Sequence, residues 1–439
     1  MTFSEKVFRD PVHNYVHVNQ RIIYQLINTR EFQRLRRIKQ LGTSSFTFHG
    51  AEHSRFSHSL GVYEITRKIT EMFETKYPAS KLKGGWLPEE TLIALIAALL
   101  HDIGHGAYSH TFEHIFKTDH EHITQEIITS DTTEVGQLLR QYDTSLPEKV
   151  AAVISHDYPN PQVTSLISSQ IDADRMDYLL RDAYFTGATY GNFDLTRILR
   201  VIRPHASGIT FKRSGMHAVE DYLVSRYQMY MQVYFHPASR SVEVILNHLL
   251  KRAKIVFAED FDFFQRTSPR LLPFFSNHFT LSDYLALDDS VLNTYISVWI
   301  NHPDAILSDL ADRFINRRIF KSIIFDDEEQ LAPLLKNIEA AGFDPSYYTA
   351  IHSSFDLPYD LYRPKTINPR TQIEIIEADG TLAELSSLSP IVKALTGIKA
   401  GDKRFFFPKE MLLEQTSLFS EAIEAFQEKI KNGKLKKEL

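Results

Sequence analysis

His101 and Asp102 stand side by side directly after the apolar run of residues 92–100. An imidazole and a carboxylate at a helix end can reach one divalent cation if that end loosens, because adjacent side chains diverge by about 100°. The same pair also suits an ordinary helix C-terminus, where the dipole stabilises a histidine. The run HDIGHGAYSHTFEH that starts at His101 says more. His105 lies between two glycines, and His110, Glu113, His114 and then His120 follow. Nine of the 19 histidines fall within residues 49–122, where an even scatter would put about three. Imidazole titrates near neutral pH and is the commonest metal ligand, so this crowding marks a site. His58, at the start of a predicted helix, and Asp174 are candidates to join His101 and Asp102. A His/His/Asp/Asp shell suits Fe, Mn, Zn or Ni and leaves room for water or substrate.

Two side-chain stripes could line the same site. Asp174, Asp177, Tyr178, Arg181 and Asp182 recur at i, i+3, i+4, i+7 and i+8, one face of a helix. Met176, Leu179, Leu180 and Ala183 take the other faces, so the polar stripe reads as the wall of a polar cavity rather than a wetted surface. Arg226, Tyr230 and Tyr234 repeat at i, i+4 and i+8. Arginine offers a planar fork to phosphate, and tyrosine rings stack on a base or close over a sugar. An aromatic core stripe is the alternative reading.

These residues need elements to hold them. Residues 8–18 alternate weakly and predict a strand or hairpin, and residues 20–41 carry helical spacing. Pro88, Glu89 and Glu90 start a helix over residues 91–102, which Gly104 and Gly106 end. Further helices are predicted near residues 60–77, 121–129, 147–155, 171–185, 195–203, 217–235 and 239–257. Beyond residue 260 the texture is mixed. Helical pieces near 282–300, 304–320 and 328–341 precede a strand and turn at 372–380 and a short aromatic strand at 404–407. No long Gly/Ser/Pro linker separates the two parts, which are expected to pack together. The lysine-rich end reads as a solvated tail.

With 439 residues and 43% of them hydrophobic, the chain is globular in composition. A net charge of −6 argues against coating nucleic acid or membranes through bulk charge. The lack of cysteine excludes disulfides, thiolate zinc sites and thiol nucleophiles. No signal peptide is visible at the amino terminus, and the longest apolar run falls short of the roughly 20 residues a bilayer needs. A soluble cytoplasmic protein is expected.

RFSHSLG from Arg55, HDIGHGAYSH from His101 and IDADRMDY from Ile171 together resemble the HD-domain phosphohydrolases. The specific likeness is to the deoxynucleoside triphosphate triphosphohydrolases, including the mammalian enzyme with a sterile-alpha-motif domain before its HD domain. It extends over DPVHNYVHV and EFQRLRRIKQLG to about residue 236, and more faintly onward, as at RRIFK from Arg317. A stand-alone bacterial-type relative is expected.

The resemblance implies a mainly α fold: an HD-domain helical core with a short N-terminal β-hairpin and a mixed α+β C-terminal region. Residues 1–257 would form the catalytic region, its core at about 50–185, and residues 258–439 a region packed on it for oligomerisation or regulation. His58, His101, Asp102 and Asp174 would hold a divalent metal (Mg, Mn, Fe, Zn or Ni). Arg55, His105, His110, His120, Arg175, Tyr178 and Arg226 would surround the triphosphate, with Tyr230 beside them. Gln40 and Asp182 would hold the 3′-hydroxyl, and Leu41 and Tyr234 would sit near C2′. His110 would protonate the leaving 5′-oxygen, and Glu113 would orient one of the imidazoles. The family releases the whole triphosphate and leaves a deoxynucleoside.

Relatives assemble as tetramers with nucleotide between subunits. Lys6, Gln33 and Arg36 match positions that hold an activating guanine nucleotide. Asn28 stands where an aspartate reads the guanine edge, which leaves base choice there open. Asp194 and Arg197 match part of a second effector site that His236 would join, with Pro237 in place of a basic residue. The implied partners are dNTP substrates, GTP, dGTP or dNTP effectors, and further copies in a homotetramer or dimer. Neither membrane nor, as main partner, nucleic acid is expected. A nucleoside monophosphate phosphatase, a phosphodiesterase and a nucleotide sensor without turnover are competing readings. Single-stranded nucleic-acid binding is a further one, disfavoured by the charge.

Overall fold

The computed structural model describes residues 3–353, 372–396, 402–413 and 420–436. It is mainly helical. An antiparallel hairpin opens it, β1 (Lys6–Asp10) on β2 (Asn14–Val18), with Phe8 opposite Val16. Val16 and Val18 alternate into the core as a period of two requires. The carboxylate of Asp10 closes the turn by accepting from the backbone N–H of Val12 and His13, both at 2.9 Å.

Residues 20–41 are not one helix. α1 (Arg21–Ile27) stops at Asn28, and Thr29 caps α2 (Arg30–Arg34) by accepting from Phe32 N–H. A side chain that offers the backbone a competing bond ends the helix that periodicity alone would continue. α3 (Arg55–Lys76) packs against both α4 (Thr91–Leu100) and, later in the chain, α10 (Ala173–Thr186). Between them come α5 (His110–Phe116), α6 (His120–Thr129), α7 (Glu134–Tyr142), α8 (Leu146–Ile154) and α9 (Pro161–Ile167). α11 (Leu195–Val201) leads into the ribbon β3 (Ile202–His205) and β4 (Gly208–Lys212). The helix expected over 217–235 is α12 (Met216–Met229), which widens into a π turn over Tyr230–Tyr234 before α13 (Pro237–Glu259).

The C-terminal part is mixed. α14 (Phe261–Thr267), α15 (Leu272–Phe275), α16 (Leu281–Leu285), α17 (Asp289–Trp299) and α18 (Ala305–Ile315) come first. The predicted helix 282–300 is broken because Asp288 caps α17 through Val291 N–H. Strands β5 (Lys321–Ile324), β6 (Ala350–Ser353), β7 (Glu374–Ile376), β8 (Leu382–Glu384) and β9 (Lys403–Phe407) follow. β7 runs parallel to β4, Ile375 opposite Phe211, so the ribbon of the helical part is completed from the C-terminal part. The lysine-rich end is not simply a tail: β10 (Ile430–Lys431) and β11 (Lys434–Leu435) form a hairpin whose Lys434 pairs with Ile324. Its lysine side chains 431, 434 and 436 stay exposed, and Lys437 lies outside the described residues.

One buried apolar cluster runs from Val16 to Phe406, and a smaller one sits under β5 and β9 around Phe405, Phe407 and Phe426. Among the described residues no helix is long and apolar enough to cross a membrane.

Candidate metal centre and the cavity beside it

Three helices bring two imidazoles and two carboxylates together. His58 sits in the first turn of α3, His101 and Asp102 follow α4, and Asp174 begins α10. His58 Nε2 lies 3.0 Å from Asp174 Oδ1 and 3.3 Å from His101 Nε2, which is itself 3.6 Å from that oxygen. Asp102 places one oxygen 3.5 Å from His101 Nε2 and the other 3.7 Å from His58 Nε2. The opposite ring nitrogens are committed elsewhere: His58 Nδ1 donates to Asp177 at 2.8 Å, and His101 Nδ1 donates to the carbonyl of Ala98 at 2.9 Å. Both rings therefore turn Nε2 towards the shared centre, the arrangement that orients imidazoles for a metal.

The electrostatics agree. Burial opposes charge on His58, but hydrogen bonds to Asp174 and Asp177 outweigh it and raise its pKa to about 10. Burial likewise pushes the Asp174 carboxyl up, and the two histidines overrule it and hold it below the usual range. Asp177 is buried too, yet Arg181, His13 and His58 keep it well below that range. The centre is thus stabilised by positive charge, and its mixed nitrogen and oxygen donor set fits a divalent cation.

A second group adjoins it. The rings of His105 and His120 stack at 3.9 Å, and Glu113 Oε1 lies 3.0 Å from His120 Nδ1 and 3.8 Å from His105 Nδ1. His105 Nε2 is 3.3 Å from Asp102. These stacked rings titrate in opposite directions. Burial and the Arg55 guanidinium drive His105 down to about 3, whereas at His120 burial is outweighed by Glu113 and the pKa rises. The bracketing glycines serve close packing: a Cβ on Gly104 would strike the His120 carbonyl, and one on Gly106 the Tyr284 hydroxyl. The sharp turn itself falls on Tyr108 and Ser109, at φ 51° and 45°. The His110 side chain lies outside the described residues.

Beside the centre opens a cavity of about 690 Å³ whose walls include Gln40, Leu41, Arg55, Ser109, Tyr230 and Tyr234. Arg55 joins the two, with Nη1 on Asp102 and Nη2 on Ser109 Oγ at 2.8 Å. The buried amide oxygen of Gln40 has no donor among the described residues. Asp182 stands behind the tyrosines, accepting from Tyr234 Oη at 2.8 Å and His53 Nε2 at 2.7 Å. Tyr178 meets Tyr234 edge-on. Arg175 and Arg226 are engaged in the protein, the first with Asp172 and the Ser169 carbonyl, the second with Gln170 at 2.9 Å.

The positions matched to effector sites lie on several elements. Lys6 approaches the ring of Tyr24, whose carbonyl accepts from Asn28 Nδ2 at 2.7 Å. Gln33 accepts from Arg36 Nε at 2.8 Å, and the Arg36 guanidinium lies on the Phe56 ring. Asp194 caps α11 through Arg197 N–H, while His236 caps α13. Sequence reasoning read Asp177 only as part of a cavity wall, whereas it is fully buried behind His58 and paired with His13 and Arg181. It also missed His53 and His13, and nothing in the sequence signals Asp289, whose buried carboxyl binds Lys39 N–H and Tyr108 N–H.

A family model described as the HD domain matches residues 55–182, and one for an HD-associated region matches residues 193–411. The uncharacterized protein YwfO of Bacillus subtilis is 51% identical over 416 residues, 94% of each chain. The chain belongs to the HD-domain family. Its fold matches a solved phosphohydrolase of Bacteroides thetaiotaomicron with a TM-score of 0.78 at 28% identity, over 92% of this chain and 99% of that one. The SAMHD1 homolog of Dictyostelium discoideum, a deoxynucleoside triphosphate triphosphohydrolase, is 28% identical over 257 residues, 55% of this chain and 48% of that protein. The chain thus spans about half of that relative. It is an HD-domain phosphohydrolase superfamily member related to SAMHD1-like enzymes.

Proposed function

We propose that the protein hydrolyses deoxynucleoside triphosphates to deoxynucleoside and inorganic triphosphate. The observation that carries this reading is the continuity from the His58, His101, Asp102 and Asp174 cluster, through Arg55, into a cavity with sugar-sized polar and aromatic walls. A divalent cation supplies, when bound, a water of lowered pKa and a positive field for phosphate. Arg55 presents its fork at the cavity wall and neutralises charge that develops on phosphate oxygens. His105, neutral at pH 7, serves as a hydrogen-bond donor. At His120 burial is outweighed by Glu113, which raises its pKa and favours the charged ring beside the phosphates. His110 retains the donor role for the leaving 5′-oxygen. Gln40 accepts from the 3′-hydroxyl, and Asp182 sets the tyrosine wall.

Activation by GTP or dGTP at Lys6, Asn28, Gln33 and Arg36, in a tetramer, belongs to the same proposal. dATP, dCTP and dTTP are incubated with Mn²⁺-loaded protein, with and without GTP or dGTP, and the products are resolved by phosphorus NMR. Intact triphosphate is expected; orthophosphate or nucleoside monophosphate would point to another HD-type hydrolase. Asp102→Ala should end turnover, which a sensor without turnover would survive. Arg36→Ala should abolish a sigmoidal dependence of rate on dNTP concentration.

A further inference from the structure

The metal ligand His58 is held from behind by a chain of buried groups that leads to the N-terminal hairpin. Its Nδ1 donates to Asp177 Oδ2. That carboxylate also accepts from Arg181 Nε at 2.8 Å and Nη2 at 2.9 Å, and from His13 Nε2 at 2.6 Å. Four donors on two oxygens fill the carboxylate and leave it one orientation. Arg181 reaches past it to Asp10, with Nη1 2.9 Å from Oδ2. Asp10 in turn closes the hairpin turn through the N–H of Val12 and His13. Thus His13 fixes Asp177 directly, and Asp10 fixes it through Arg181.

The helix beneath is built for this contact. Gly61 lies one turn beyond His58 on α3, and a Cβ there would collide with the Asp177 carboxylate and with Arg181. His13, Asp10, Asp177 and Arg181 are all buried, whereas Val7 and Tyr15 on the same two strands are 47% and 45% exposed. The hairpin therefore has one end locked under the metal centre and one face, carrying Val7 and Tyr15, open to solvent, while Val16 and Val18 face the core.

We propose that His13 is a positioning residue for the metal centre: the hairpin turn orients Asp177, Asp177 orients the His58 ring, and the hairpin's placement sets how tightly the centre holds its cation. The proposal rests on the reading of His58, His101, Asp102 and Asp174 as ligands. It makes the exposed hairpin a lever through which contact at its outer face alters the metal site without touching substrate.

The test is Co²⁺ titration of the metal-stripped full-length protein, followed by calorimetry and by the visible ligand-field bands, which report coordination geometry. His13→Ala should weaken Co²⁺ binding about tenfold, the lower range for loss of an outer-shell partner, and shift the bands. His13→Gln, whose amide N–H reaches where Nε2 stood, should restore both; His13→Asn is too short and should not. Tyr15→Ala, on the same hairpin, should bind as the parent does. If His13→Ala does not fold, the contrast between the Gln and Asn variants decides. Parent-like affinity and bands in both His13→Ala and His13→Asn would overturn the proposal alone. A parent protein that takes up no Co²⁺ would overturn it together with the reading beneath it.

Discussion

Tyr234 lines the cavity and Asp182 anchors it from behind, at the end where the proposed reaction would place the sugar. Burial and then the Asp182 carboxylate hold the Tyr234 phenol well above its usual pKa, so its hydroxyl stays a donor. With that bond made, the ring is fixed as a wall, and Leu41 lines the same cavity. A yielding apolar pocket rejects an added hydroxyl by only about a hundredfold, so strong preference for deoxy sugars needs a wall that cannot move. Tyr234→Ala should lower the ratio of kcat/KM for dGTP over GTP by roughly a hundredfold. Tyr234→Phe keeps the ring and should keep most of the ratio, while leaving one Asp182 oxygen short of a donor. Steady-state kinetics on both nucleotides check this, and an unchanged ratio in the alanine variant would remove the wall from the scheme.

α13 carries cavity residues on one face and packs the C-terminal part on another, and one of its histidines makes that packing sensitive to acid. His248 is 9% exposed and donates from Nε2 to the carbonyl of Thr349 at 2.9 Å. Burial lowers its pKa to about 4 against an ordinary 6.5. The unfolded chain therefore takes a proton at a pH where the folded one refuses it. The contribution of His248 to stability is full above pH 6.5 and is lost as the pH falls towards 4, by about 3 kcal/mol when the loss is complete. His248→Gln can keep the bond and cannot titrate. Its melting temperature relative to the parent should rise between pH 7.5 and pH 5; parallel curves would show that His248 does not drive the acid loss. At this scale the sequence was uneven. α4 was legible because Pro88 and a long apolar run mark it. α5 and α9 are short and flanked by polar residues, so no clear stripe announces them, whereas α7 was overlooked although Val135, Leu138, Leu139 and Tyr142 keep helical spacing behind the Thr133 cap. The π turn was illegible because Arg226, Tyr230 and Tyr234 keep the spacing of an ordinary helix. His58, His101 and Asp102 could be named because imidazoles crowd there and Asp174 because it stands in the polar stripe, but the pairing of Asp177 with His13 could not, since only folding brings residue 13 to residue 177.

The whole molecule is joined across the cavity by buried polar groups from the C-terminal part. Arg34, 2% exposed, donates to the carbonyls of Leu287 at 2.9 Å and of His105 at 2.9 Å, which ties α2 and the HD loop to the approach to α17. Asp289 accepts from Lys39 N–H at 2.8 Å and Tyr108 N–H at 2.9 Å, so one carboxyl spans two cavity-forming loops. Burial raises that carboxyl to about 6, a cost sustained by the two bonds it makes. A fragment of residues 1–257 would leave those two N–H groups and Arg34 Nε, which loses the Leu287 carbonyl, without partners, each at about 1–3 kcal/mol. It would also uncover the apolar cluster that runs unbroken into the C-terminal part. These losses rival the whole stability of a typical domain, about 5–15 kcal/mol. The fragment should accordingly show no cooperative melt, bind a hydrophobic dye, and take up Co²⁺ far more weakly than the full chain. Calorimetry and metal titration on the two proteins side by side measure all three. A sharp melt together with full-strength Co²⁺ binding would mean that the helical region assembles its centre alone, and that Arg34 and Asp289 serve only to dock the C-terminal part.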